Sequence, residues 1–154
     1  MKGRVILFTL AALFVGATVC LAQNPQMGTW KLNEAKSKFS PGAAKNNTVV
    51  YEAAGDSVKV TVDGVDGDGN PIHNEWTGKF DGKYYSVTGD PTSDMRSYRK
   101  INNHTLALTG KKGGKVTLNG RIVVSANGKT RTVTTTGTDA KGKRFTTKAV
   151  YDKQ

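Results

Sequence analysis

Alternation of apolar and polar residues runs through most of this chain. Val58, Val60 and Val62 share one side of an extended segment, with Lys59, Thr61 and Asp63 on the other. That two-residue period marks a strand with one dry face and one wet face. The same period sets Ile72, Trp76 and Phe80 against His73, Glu75, Thr77 and Lys79, and brings Leu106 and Leu108 together. It also sets Val116, Leu118, Ile122 and Val124 inward, opposite Thr117, Asn119, Arg121 and Ser125. Further strands are expected at residues 28–32, 48–53, 84–88, 95–101, 131–138 and 144–151, the last with Phe145 and Tyr151 on one side.

Turn residues separate these segments: Asp66 to Pro71, Asp81-Gly82-Lys83, Gly89-Asp90-Pro91, Asn102-Asn103, and the basic stretch 111–115. Asn127-Gly128 is the strongest hairpin signal. Residues 33–45 have room for one helical turn, which Pro41 and Gly42 would end. About ten short strands joined by tight turns predict an all-β fold, an antiparallel up-and-down meander closing into a barrel. Val60, Thr61, Gly64, Asp66 and Gly69 recur as Val133, Thr134, Gly137, Asp139 and Gly142. We read this echo as two hairpins with one turn chemistry.

The N-terminus follows a different pattern. Lys2 and Arg4 precede an apolar run over residues 5–19, broken only by Thr9, Gly16 and Thr18. Cys20-Leu21-Ala22 then supplies small residues where a signal peptidase reads. Residues 1–22 therefore read as a signal peptide cleaved after Ala22, and 23–154 as a single β-barrel domain that is secreted or periplasmic. A spanning helix needs roughly 20 apolar residues, so no transmembrane segment is expected in the mature chain. Lipoprotein processing at Cys20 would want a small residue before it, and Val19 stands there. With residues 1–22 removed no cysteine remains, so the core alone must hold the domain.

Charge is unevenly spread. The whole chain carries a formal +11. Residues 23–95 hold 7 basic and 10 acidic residues, whereas 96–154 hold 14 basic and 2 acidic. A basic half can attract an anionic partner such as a cell-envelope polymer or lipid head group. Nucleic acid is not expected, because Tyr98, Phe145 and Tyr151 are too sparse to build a stacking platform there.

Candidate chemistry is thin. Asp66-x-Asp68-x-Asn70 begins like a calcium loop, but Pro71 and Thr77 stand where that loop needs Gly and Glu. His73 and His104 are the only histidines, too few for a zinc site. No serine sits in a nucleophile elbow, and Glu75 has no evident acid–base partner. We expect no metal, no cofactor and no enzymatic activity.

Gly28-Thr29-Trp30-Lys31-Leu32 on a first strand, followed by the meander, resembles the lipocalin and fatty-acid-binding-protein superfamily of calycin barrels. The ending Val150-Tyr151-Asp152-Lys153 is similar to that family's last strand, and the stretch from Gly28 to Gly42 resembles a set of small exported bacterial proteins of unassigned function. The resemblance implies a closed barrel around a hydrophobic ligand. It also implies that Gly28 and Trp30 seal one barrel end, beneath a basic side chain from a late strand. Arg144 and Lys148 are the candidates for that contact, worth ~0.5–2 kcal/mol. This chain departs from the fatty-acid-binding pattern in two places. Residues 33–46 are too few for its helical lid, and Ala149 stands where it has an arginine.

The resulting expectation is an exported, monomeric lipocalin-like binding protein for a small hydrophobic or amphipathic ligand. The cavity face would comprise Val60, Val62, Trp76, Phe80, Leu106, Leu118, Ile122, Val133 and Phe145. The alternative is a non-enzymatic structural or surface-interaction protein, with a filled barrel and a basic face for the anionic partner.

Overall fold

The computed structural model describes residues 24–154; the leader assigned to residues 1–22 lies outside them. Eleven strands follow in order: β1 (Gly28–Leu32), β2 (Lys38–Phe39), β3 (Lys45–Ala54), β4 (Ser57–Val65), β5 (Pro71–Gly78), β6 (Asp81–Thr88), β7 (Met95–Asn102), β8 (Thr105–Lys112), β9 (Lys115–Val124), β10 (Thr130–Thr138) and β11 (Arg144–Lys153). A single 3-10 turn, Glu34–Lys36, separates β1 from β2. Among the described residues no helix is long and apolar enough to cross a membrane.

From β3 to β11 every strand pairs antiparallel with the next, as the tight turns require, and β1 lies between β3 and β11. Trp30 stands opposite Val49 on one side and Lys153 on the other. The sheet therefore closes into a ten-stranded antiparallel barrel. The extra strand β2 continues the path of β1 along β11, where Phe39 faces Thr147. Closure removes the open edges that a flat sheet would expose. The weakest seam lies between β5 and β6, where only Glu75–Thr88 and Trp76–Val87 pair. Gly78 lets the Tyr85 ring close that seam, since a Cβ there would lie 2.6 Å from the ring.

One end of the barrel is packed solid. Trp30 is fully buried, and its Nε1 donates to the Gln26 carbonyl at 2.9 Å. Gln26 in turn donates from Nε2 to the His104 carbonyl at 3.2 Å, so the lead-in segment forms a plug. Above the plug, Trp76 meets the Tyr98 ring edge-on at a 4.7 Å centroid separation and stacks on Phe80 at 6.4 Å. Trp76 Nε1 donates to the Arg96 carbonyl at 3.0 Å.

The basic contact over Trp30 differs from the expectation. Odd-numbered residues from Phe145 to Tyr151 turn inward, so Lys148 points out, and Arg144 lies at the far end of β11. The cations near the indole are Lys153 Nζ, 5.2 Å from the ring centroid, and the Arg131 guanidinium carbon at 5.7 Å. Gly28, at φ +110, leaves the space that Lys153 crosses: a Cβ there would stand 3.0 Å from Lys153 Cε. Val116 is a second correction. The pairing of β8 with β9 shifts register between Gly110 and Lys111, next to Val116, and Val116 is 52% exposed.

The opposite end is built from turns. Asp66 and Asp139 each fold a five-residue turn by accepting two backbone N–H groups on one carboxylate oxygen. This shared turn chemistry accounts for the sequence echo. The two turns are tied together by Lys141 Nζ and Asp68 Oδ2 at 2.8 Å.

Candidate ligand cavity

Inward alternation from ten strands would fill the barrel if every inward residue were bulky. Toward the turn-built end they are not. A cavity of about 160 Å³ remains there, bordered at its mouth by Pro41 to Ala44, by Asp90 to Thr92 and by the Asp139–Arg144 region. Its walls are apolar, from Val62, Ile72, Leu108, Leu118, Ile122, Val133 and Phe145. Polar groups share the lining: Asn74, Arg96, Thr135, Thr147, Arg131 and the tyrosines 51, 98 and 151.

Of the residues assigned from sequence to a cavity face, Val62, Leu118, Ile122, Val133 and Phe145 line this space. Val60, Trp76, Phe80 and Leu106 pack instead in the filled part of the core. The division is one of height along the barrel. Alternation tells inside from outside, but it carries no information about which inward residues lie beside the aromatic plug.

Two buried arginines are the main unforeseen components. Arg96 Nη2 donates to Asp90 Oδ2 at 2.8 Å and to Asn74 Oδ1 at 3.2 Å. Burial works against its charge, but Tyr98 and Asp90 beside it outweigh that and raise its pKa above the ordinary guanidinium value. Asp90 also accepts from the Thr92 backbone N–H and hydroxyl, which fixes the loop between β6 and β7 over the ion pair. Arg131, 3% exposed, donates from Nη2 to the Tyr51 hydroxyl at 3.0 Å. Its guanidinium carbon lies 4.6 Å from the Tyr51 ring centroid and 5.5 Å from that of Tyr151. Burial raises the pKa of Tyr51, against the opposing pull of Arg131, and pushes Tyr151 up to about 12. Both phenols thus stay neutral, able to donate, near neutral pH. Thr135 and Thr147, paired across β10 and β11, share a hydrogen bond of 2.6 Å.

A signal for these residues was present. Arg131 has the parity of Val133, Arg96 that of Tyr98, and Asn74 lies between Ile72 and Trp76. A charge or amide on a dry face marks a buried polar site. The basic excess of residues 96–154 is also partly internal, since Arg96 and Arg131 are buried. Lys112 and Lys115 remain exposed at the β8–β9 hairpin. No group of three or more His, Cys, Asp or Glu among the described residues is placed to hold a metal ion.

No family model matches the chain, and no curated protein matches it. Solved β-barrels are similar to it. The barrel EF1p2_mFAP2b bound to DFHBI has a TM-score of 0.47 at 12% identity, covering 84% of this chain and 94% of that one. The redesigned β-barrel mFAP1 bound to DFHBI has a TM-score of 0.43 at 14% identity, covering 84% and 95%. A second redesigned β-barrel has a TM-score of 0.44 at 13% identity, covering 88% and 97%.

Proposed function

We propose that this chain is an exported, monomeric, lipocalin-like binding barrel that admits one small amphipathic ligand through its turn-built end. The observation that carries this reading is the cavity: about 160 Å³, with apolar walls among which a few polar groups are set. Small-molecule sites have this make-up, an apolar enclosure with a few placed polar groups that fix orientation. Export rests on the signal-like residues 1–22. The role is binding rather than catalysis in this reading. The cavity-lining carboxylate Asp90 is engaged by Arg96 and Thr92, and Asp139 Oδ1 is engaged by the amides of its own turn. Displacement of an apolar fluorescent dye from the purified domain, followed with a panel of small aromatic and short-chain compounds, tests the proposal. Saturable one-to-one displacement by at least one of them is expected. A dye that never enters the barrel, together with a natural-source protein carrying no bound small molecule by native mass spectrometry, would overturn it.

A further inference from the structure

Beyond the interior binding role, and independent of it, we infer that the outer face of β9, β10 and β11 is a second site, which takes a segment of an acidic polysaccharide. An open groove of about 500 Å³ lies on this face, toward the turn-built end. The strand register sets its polar groups in rows. Asn119, Thr136 and Thr146 stand side by side across the three strands. Two residues along, roughly 7 Å away, Arg121, Thr134 and Lys148 form the next row, and Lys38 of β2 continues it. On the other side of the first row, Arg144 stands opposite Thr138. The uncharged polar row therefore runs between cations on both sides.

Lys38, Arg121, Arg144 and Lys148 are all exposed. Among the described residues none of the four makes an ion pair. The single carboxylate on β2, β9, β10 and β11 is Asp152, at the plug end, where Asn33 Nδ2 donates to it at 2.8 Å. Asp139, in the turn after β10, has one carboxylate oxygen taken by two backbone N–H groups. The cations of that turn are engaged, Lys141 by Asp68 and Lys143 by the Pro41 carbonyl. The four strand cations are left without a counter-charge of their own, and a face of one sign concentrates anions.

Charge alone names no partner; the lining between the cations does. Thr117, Asn119, Thr136, Thr138 and Thr146 bring hydroxyls and an amide to the groove. Such groups both donate and accept hydrogen bonds, which suits a partner dense in hydroxyls. Val116 and Phe145 add apolar surface against which the C–H face of a sugar ring can lie. Thr117 Oγ1 is shut from solvent and has no hydrogen-bond partner. An unmet hydroxyl is costly, and a turn of the Thr117 side chain offers it to a sugar hydroxyl in the groove. A carboxylate on the same chain then meets the planar edge of Arg121 or Arg144. A flat bilayer would span the recess without entering it. Nucleic acid would want exposed rings on which to stack bases, and Phe145, half-buried, is the one ring in the lining.

Isothermal titration of the purified domain with alginate oligomers, neutral dextran oligomers, polyphosphate and phosphatidylglycerol vesicles separates the possibilities. Alginate, a carboxylated glycan, is expected to bind at least about tenfold tighter than dextran or polyphosphate. Its affinity should fall at least about tenfold between roughly 50 and 500 mM salt. Arg121→Gln combined with Lys148→Gln should weaken alginate at least about tenfold, whereas Lys83→Gln, exposed on β6, should change it less than about twofold. Thr136→Val, which keeps every charge, should weaken it at least about threefold. In the unaltered protein, amide resonance shifts on adding alginate should cluster at Asn119, Thr136 and Thr146, a readout that needs no variant. Dextran or polyphosphate binding as tightly as alginate, preference for vesicles, resonance shifts elsewhere, or no binding by any probe overturns the inference. Each of these outcomes leaves the interior cavity untouched, since dye displacement reads that site separately.

Discussion

Thr135 and Thr147 show what a single atom contributes inside this barrel. Their hydroxyls meet at 2.6 Å, both residues being 8% exposed, on facing positions of β10 and β11. Each satisfies the other, so removing one orphans its partner. Thr135→Val should destabilise the fold by ~1–3 kcal/mol, whereas Thr135→Val combined with Thr147→Val should recover most of that loss. A double-mutant cycle by urea denaturation measures the difference; additive losses would show that the hydroxyls do not depend on each other. The threonine-rich stretch 131–138 reads as a strand in the sequence, and it is one. Which threonines face inward is fixed by their parity with Val133. That the inward ones answer residues on the next strand depends on register, which no local pattern encodes.

Whole strands were legible where one face is dry. The alternation in β4, β5 and β9 exists because core and solvent impose opposite demands on successive residues. The two-residue β2 has no period to read, and its place beside β11 follows from tertiary closure. The loop between β6 and β7 was equally opaque: Gly89-Asp90-Pro91 reads as a turn, but its carboxylate reaches inward to Arg96. That contact ties a mouth-forming segment to the wall, alongside the hydrogen bond from Lys112 Nζ to the Pro91 carbonyl. Asp90→Asn should cost ~3–5 kcal/mol, because it strands a buried guanidinium. Guanidinium chloride unfolding gives the loss. A loss within error would mean that water reaches Arg96 and the loop is not pinned by charge. The cavity resisted reading for a related reason: its volume is set by how far Trp76, Phe80 and Tyr98 fill the barrel, a sum over strands far apart in sequence.

The molecule as a whole carries an alkaline liability. Tyr151 is raised from 10.0 to about 12 and Tyr51 is raised as well, chiefly by burial. Below the unfolded value near 10 these phenols are protonated in both states, and their burial imposes no ionisation penalty. As pH climbs through the folded value, the unfolded state releases protons first, so stability falls across that window. Thermal unfolding from pH 8 to about 12 should show a declining midpoint above roughly 10, with phenolate absorbance lagging that of free tyrosine. Tyr151→Phe should make the decline shallower; an unchanged slope would trace it to other groups.

Closure through Trp30 and Lys153 also has a kinetic side. From β3 onward each strand zips onto the one before it, but the β1–β11 seam must wait until the last strand exists and finds the first. Such long-range pairing places folding in the millisecond-to-second range typical of β topologies rather than the microseconds of local ones. Through that interval both terminal strands offer bare backbone to any neighbouring chain. How fast the ring shuts therefore governs misassembly more than how stable it becomes once shut.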